Sequence, residues 1–312
     1  MLPGQAASTL LGQTFTFDLP KTGILMALMI LITGNITTAI STPNALGKSN
    51  LVTRVRLIAN AGINLIDISG PGYHYLFRDF IEALADPVPQ SDGRAVQATG
   101  AYDLSMYFPI GINLRDPVGL IMLQNADTLL RLEVEMAPAT ALGNDITVLT
   151  MAIQPMLYVF TVPQDPKDLP AFDYAQTIQE EQRVVAGAGI EEWYWPRGGI
   201  YAQVNHGYGI GAAGADAWTA AGIRVDQSEW IEPPTKTPAL YTRDYSRTRG
   251  RTRIAGVIPI FDGLSDSGLG NYGSVRDLLD SRFVTDIASV ITTTGAGTLR
   301  TVKRQLVPLP KG

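Results

Sequence analysis

From residue 14 onward, apolar residues recur with a period of two rather than 3.6, and Gly, Pro, Asn or Asp interrupt the pattern roughly every ten to fifteen residues. Successive side chains of a strand point to opposite faces, so this alternation describes half-buried strands and restricts the fold to sandwiches or barrels. In residues 51–59, Leu51, Thr53, Val55 and Leu57 alternate with Val52, Arg54 and Arg56. Asn60, Ala61 and Gly62 then turn the chain into residues 63–68, which predicts a hairpin. Further strands are predicted over 14–18, 101–108, 129–136, 146–151, 156–162, 200–204, 253–261, 283–292 and 298–306, with a hairpin loop at 293–297. The most apolar run, residues 24–32, covers roughly 30 Å as a strand but falls well short of the ~20 residues a spanning helix needs. It reads as a strand buried on both faces, the alternative being a segment that touches a membrane or a neighbouring subunit.

Two short helices stand among the strands. Leu76, Phe77, Phe80, Ile81 and Leu84 form one stripe of a helix over 75–84, and Ser274 is placed to cap a second over 274–280. Pro163, Pro166 and Pro170 sit among alternating charges near the midpoint, a composition that gives an extended linker. The predicted organisation is an arm over 1–13, a β-unit over 14–163, a linker over 164–172 and a second β-unit over 173–312. Each β-unit is the size of one eight-stranded sandwich.

Composition narrows the chemistry. There is no cysteine, so disulfides, thiolate metal sites and cysteine nucleophiles are excluded. The two histidines, His74 and His206, lack metal-ligand spacing, and no metal or cofactor is expected. Asp, Glu, Lys and Arg make up 17% of the chain, against the ~25% usual for soluble proteins. A surface so poor in charge suits a protein that hides much of its outside in an assembly. The net charge of −5 argues against a globally basic, sequence-specific nucleic-acid binder.

Three stretches could carry chemistry. Gly209, Gly211 and Gly214 form a G-x-G-x-x-G, with Asp226 and Glu229 where a ribose-binding acid would stand. Only about two helical turns, over 215–221, follow it, and no βα series continues, so a surface loop is the better reading. Arg243, Arg247, Arg249, Arg251 and Arg253 form a basic run whose last four members alternate; in a strand their guanidinium groups share one face. That face could be solvated, contact phosphate, or meet an acidic stretch of another subunit such as Glu180-Glu181 or Glu191-Glu192. Trp193, Tyr194 and Trp195 could form an aromatic sugar-binding platform or an interface cluster. No G-x-S-x-G elbow is present, and no catalytic constellation emerges.

Residues 51–73, ending in Ile-Ser-Gly-Pro-Gly-Tyr, residues 107–125 leading into 129–136, and the block 253–308 together carry a family resemblance. In strand rhythm the chain, over about 14–308, resembles the double jelly-roll major capsid proteins of tailless icosahedral bacteriophages of the tectivirus-like lineage. The resemblance implies an all-β chain of two eight-stranded antiparallel jelly rolls in tandem, with a few short helices in loops. It further implies a non-enzymatic coat protein that trimerises into pseudo-hexagonal capsomers and tiles a virion shell, which can enclose an internal membrane. The implied partners are other copies of the chain, neighbouring capsomers and minor capsid or vertex proteins, with assembly in the host cytoplasm. On this reading residues 1–13 and Arg243–Arg253 are candidates for the inward side, against an internal viral membrane. Two sandwiches per chain would let a trimer offer six near-equivalent edges.

Overall fold

The computed structural model describes residues 5–7, 11–36, 42–60, 62–81, 93–95, 100–112, 118–124, 129–143, 148–165, 167, 169, 172–211, 216–226, 228–250, 252–263 and 278–309. It is built mainly of strands and divides into two compact units. Met1–His74, Ala85–Gln179 and Pro308–Gly312 form the first; Tyr75–Leu84 and Glu180–Val307 form the second.

The first unit holds β1 (Gln5–Ala7), β2 (Thr14–Asp18), β3 (Ile24–Ile36), β4 (Val52–Ala59), β5 (Ile63–Ile68), β6 (Gly100–Pro109), β7 (Ile121–Met122), β8 (Leu130–Met136), β9 (Val148–Phe160) and the start of β10 (Tyr174–Val185). One sheet runs β1-β9-β3-β6, with β7 on β3; the other runs β2-β8-β4-β5 and continues to β10. The apolar run is the heart of β3. Ile24, Leu25, Ala27, Leu28, Met29, Ile30 and Ile32 are each 2% exposed or less, as a central strand covered on both faces requires. In the other sheet Phe15, Phe17, Val55, Leu57, Leu132 and Val134 face the core. The outer face carries a ladder of ion pairs, Arg54–Asp67 at 2.6 Å, Arg56–Glu133 at 2.5 Å and Arg131–Asp18 at 3.1 Å.

The expected alternation needs three corrections here. Val52 is buried and Thr53 exposed, the reverse of the simple pattern, because the register shifts between Val52 and Arg54. Residues 146–151 and 156–162, read as two strands, fall over 148–151 and 156–160 in the single strand β9, and Thr161 and Val162 follow it. Pro155 stands within the strand opposite Ile30 of β3, and among the described residues β1 pairs only with Met151–Ile153, so no described ladder needs an amide from Pro155 on that side. The sheets are not purely antiparallel either. β10 joins β5 in parallel, Ile178 opposite Ile66 and Gln179 opposite Asp67, a pairing that a long connection permits and a hairpin does not.

Close packing in this unit depends on a glycine. The buried His74 ring stands edge-on to Tyr73 at 4.9 Å, and a Cβ on Gly93 would lie 2.5 Å from the imidazole. Gly93 also accepts the Ser49 amide at 2.7 Å, so its backbone cannot withdraw freely. The Gly93→Ala substitution is therefore expected to cost about 1–3 kcal/mol, read as a lower unfolding temperature. An unchanged melt would show that the ring can move aside.

The second unit contains α1 (Arg78–Ile81), β11 (Gly189–Tyr194), β12 (Ile200–Tyr208), β13 (Trp218–Val225), β14 (Ser228–Lys236), α2 (Pro238–Arg249), β15 (Val257–Asp262), β16 (Leu279–Asp280), β17 (Ile287–Thr293) and β18 (Gly297–Pro308). One sheet runs β15-β12-β18, with β16 on β12; the other runs β11-β17-β13-β14. Trp193, Trp195, Tyr201, Trp218, Ile258 and Ile291 contribute to the core of this unit. Every residue of β12 is buried. Gly207 is among them, and a Cβ there would press Leu76 at 2.9 Å, while Asn205 Nδ2 donates to the Leu76 carbonyl at 2.9 Å.

Neither expected helix forms as read. A π-helical turn over Gly72–Phe77 leads into the single turn of α1, and 82–84 lie outside the described residues. Residues 274–277 also lie outside them, and Leu279–Asp280 pair with β12 as strand. Two predicted strands start later than expected. Residues 253–256 precede β15, and Ser281–Phe283 form a 3₁₀ turn before β17.

Candidate functional site

The basic run adopts a helix where alternation suggested a strand. Pro238 opens α2, and Gly250 closes it in the left-handed conformation (φ 64°), its amide donating to the Ser246 carbonyl at 2.9 Å. What decides the period is Tyr241 and Tyr245, four residues apart and both buried. Tyr241 stands edge-on to Trp218 at 5.5 Å, and Tyr245 donates to Asp79 at 3.3 Å. Arg243 and Arg247 are left one turn apart and exposed. The side chain of Arg249 and all of Arg251 lie outside the described residues.

Arg253 is not on the surface at all. Its guanidinium forks onto Asp216 at 2.9 and 2.6 Å, donates to the carbonyls of Ile254 and Val257 and to Thr242 Oγ1, and lies 5.4 Å from the Trp218 ring. Burial alone would raise the Asp216 carboxyl. The hydrogen bonds from Arg253 and the Gly256 amide outweigh it and hold the group below its usual range. The five arginines therefore share no face.

The acidic stretches offered as partners for that run are occupied within the chain. Glu180 pairs with Arg300 at 2.8 Å, Glu181 with Lys303, Glu191 with Arg183 at 2.7 Å and Glu192 with Arg224 at 2.6 Å. Arg183 also donates to the Glu192 carbonyl at 3.0 Å and lies over the Trp193 ring, so it covers part of the β11 edge.

The three aromatic residues split by strand geometry. Trp193 and Trp195 are buried, Trp195 at 5.0 Å from the Tyr201 ring, and only Tyr194 is exposed. Consecutive strand residues cannot line one face, so no three-ring platform forms.

Sequence reading missed a polar knot in the second unit's core. His206 Nδ1 lies 2.7 Å from Thr301 Oγ1 and Nε2 lies 2.6 Å from Ser289 Oγ, which also accepts the Trp195 indole N–H at 2.8 Å. Trp195, Ser289, His206 and Thr301 are all buried. Burial, then the nearby charges of Lys303 and Arg183, push His206 down to about 3, so the ring is neutral at physiological pH. The signal available was Ser289 and Thr301 standing at inward positions of otherwise apolar strands.

The glycine motif is no phosphate cradle. Gly209 and Gly211 sit at positive φ after β12, Gly214 lies outside the described residues, and 218–225 form β13 rather than a helix. An Ala-rich stretch with helical propensity is overridden by the strand pairing of Trp218–Val225 with β17. Of the acids, Asp226 instead accepts the amides of Thr285 and Asp286. Among the described residues no group of three or more potential ligands could hold a metal ion, and no helix is long and apolar enough to cross a membrane.

In the first unit a groove of about 460 Å³ is lined half by the apolar Leu19, Ile58, Leu129 and Leu130 and half by the charged Asp18, Lys21, Arg131 and Glu133. In the second unit Val184, Ile190 and Tyr194 stand exposed around β11.

Strands arranged this way define a double jelly-roll chain, the fold of a group of viral major capsid proteins. The chain is similar to the STIV MCP, with a TM-score of 0.67 at 14% identity over 99% of this chain and 97% of that one. Sulfolobus Turreted Icosahedral Virus provides a second match, at TM-score 0.68 and 13% identity over 98% and 91% of the two chains. The major capsid protein P2 of bacteriophage PM2 matches at TM-score 0.59 and 13% identity, over 97% and 94%. The fold thus reaches beyond the bacteriophages of the expected lineage. No protein-family model and no curated protein matches the sequence.

Proposed function

We propose that this chain is the major coat protein of an icosahedral virus, trimerising into pseudo-hexagonal capsomers that tile the shell. The observation that carries this reading is the near end-to-end match of both jelly rolls, in one chain, to capsid proteins at nearly equal length. The role is structural rather than enzymatic. Its partners are other copies, neighbouring capsomers and minor capsid or vertex proteins, with assembly in the host cytoplasm. Among the described residues Tyr194, Arg243 and Arg247 are the exposed members of the interface set, and the two arginines suit phosphate, including headgroups of a membrane beneath the shell. Two jelly rolls near 14–163 and 173–312, joined by 164–172, give each trimer its six-fold outline.

Sedimentation of the purified protein tests the proposal. The expected species is a homotrimer of three times 33.6 kDa, with no thermal shift on adding NAD or oligosaccharides. A monomer at high concentration overturns it. Binding of sugars through Tyr194 would favour the carbohydrate-binding alternative, for which the buried Trp193 and Trp195 leave little surface.

A further inference from the structure

Residues 75–81 belong to the first half of the sequence but to the second unit of the fold. Tyr75–Leu84 groups with Glu180–Val307, whereas the chain up to His74 groups with the first unit. The change is abrupt. Tyr73 is tied within the first unit, its hydroxyl donating to the Tyr107 carbonyl at 3.1 Å and accepting the Tyr107 amide at 2.6 Å. Three residues on, Leu76 is fully buried in the second. The π-helical turn over Gly72–Phe77 spans this change, and such turns are rare and gather at positions with a task.

The segment has a specific seat. Tyr75, Leu76, Phe77, Arg78 and Asp79 are each 8% exposed or less. Burying two charged side chains in succession is costly without hydrogen bonds, and the Tyr245 hydroxyl of α2 supplies one to Asp79 at 3.3 Å. On β12, Asn205 donates its side-chain amide to the Leu76 carbonyl at 2.9 Å, and the missing Cβ of Gly207 makes room for the Leu76 side chain. Asn205 and Gly207 share one face of β12, while His206 points to Ser289 from the other. These partners stand 129 and 166 residues from Leu76 and Asp79, so the contacts must first offset the cost of closing long loops.

We infer that residues 75–81 are a latch, a segment of the first half that closes the Asn205–Gly207 face of β12 and without which the second jelly roll is incomplete. The inference concerns contacts within one chain and stands apart from the coat-protein reading. Opening the latch takes the acceptor from the Asn205 amide, the Tyr245 hydroxyl from Asp79 and the cover from Leu76 and Phe77. The second unit then loosens by local opening while the strands of the first unit keep their protection. The jelly roll made last is finished by residues made early.

Hydrogen exchange of the full chain, read by mass spectrometry, tests the latch. In Leu76→Ala, exchange across β12 and α2 is expected to speed up at least about tenfold, while β4 and β8 exchange as in the wild type. The reciprocal variant, Asn205→Ala, is expected to speed exchange over 75–81 and likewise spare β4 and β8. Leu132→Ala, at a fully buried leucine of β8, is expected to give the opposite pattern. Should Leu76→Ala misfold, Leu76→Val gives the same comparison at milder cost. Faster exchange confined to 72–81 overturns the latch and leaves the segment as a loop resting on a finished jelly roll. Faster exchange spread equally over both units also overturns it, as does a Leu132→Ala chain that opens β12 as fully as Leu76→Ala does. Leu76→Ala with wild-type exchange throughout overturns it outright.

Discussion

Replacing Arg253 with leucine is expected to destabilise the protein by about 3–5 kcal/mol, the range for removing one partner of a buried ion pair. The guanidinium is 3% exposed and holds three parts of the second unit at once. It forks onto Asp216 ahead of β13, bonds Thr242 in α2, and satisfies the carbonyls of Ile254 and Val257 at the entry to β15. Leucine fills part of the volume but takes the fork from a partly buried Asp216, which keeps the Gly256 amide at 2.7 Å, and removes one donor each from the Ile254 and Val257 carbonyls, the former still accepting the Val257 amide at 3.2 Å. Arg253→Lys keeps the charge but loses the fork and the stacking on Trp218, so it should fall between leucine and wild type. Combining Arg253→Leu with Asp216→Asn should recover part of the loss, because the orphaned charge is removed with its partner. Urea unfolding at one fixed protein concentration measures all four proteins, which keeps any association of the chain the same across the set. A loss below about 1 kcal/mol for the leucine variant would mean that Arg253 is not the anchor its geometry describes.

Arg253 also shows where sequence reading reached its limit. Strand content, the apolar run of β3 and the hairpin of β4 and β5 were legible because each is a local pattern of alternation. Arginines at alternate positions looked equally local, yet Tyr241 and Tyr245 imposed the helical period through packing on Trp218 and Asp79, residues distant in sequence. The same override turned the Ala-rich 218–225 into a strand. Trp193 and Trp195 were legible as core only once β11 was known to be a strand, since its alternation sends Tyr194 outward between them. The acids at 180, 181, 191 and 192 read as available charges, because nothing in their own segments names Arg183, Arg224, Arg300 and Lys303 as partners; each lies on a different strand from the acid it pairs. Exposed apolar residues are harder still to read. Val184 and Leu129 differ from core residues only in being left uncovered, and burial is a property of the fold.

Acid is expected to weaken the second unit through His206 before any carboxylate responds. The imidazole is buried between Thr301 and Ser289, with the Trp193 ring at 6.2 Å and the cationic Lys303 and Arg183 nearby. Its protonation is opposed first by burial and then by those two charges, which set its value at about 3 against 6.5 when unfolded. Between these values the unfolded chain binds a proton that the folded chain refuses, so stability rises with pH and falls on acidification. The loss starts near pH 6.5 and grows by 1.36 kcal/mol per unit, reaching roughly 2.7 kcal/mol at pH 4.5 and on the order of 4–5 kcal/mol at pH 3. The lowered carboxyls of Asp216, Asp244, Asp280 and Glu192 work the other way round. Their stabilisation is complete above unfolded values of 3.8 and 4.5 and disappears only as pH falls through the folded ones. The window from pH 6.5 to 4.5 therefore lies above the carboxylates, and a substitution at His206 separates its share from that of the other buried histidine, His74. His206→Gln keeps a polar group facing Thr301 and Ser289 but cannot take up a proton. It should start less stable at pH 7 and lose about 2.7 kcal/mol less than the wild type across that window. Urea midpoints at half-unit pH steps give the comparison, and parallel profiles for the two proteins would rule His206 out as the source of the acid sensitivity.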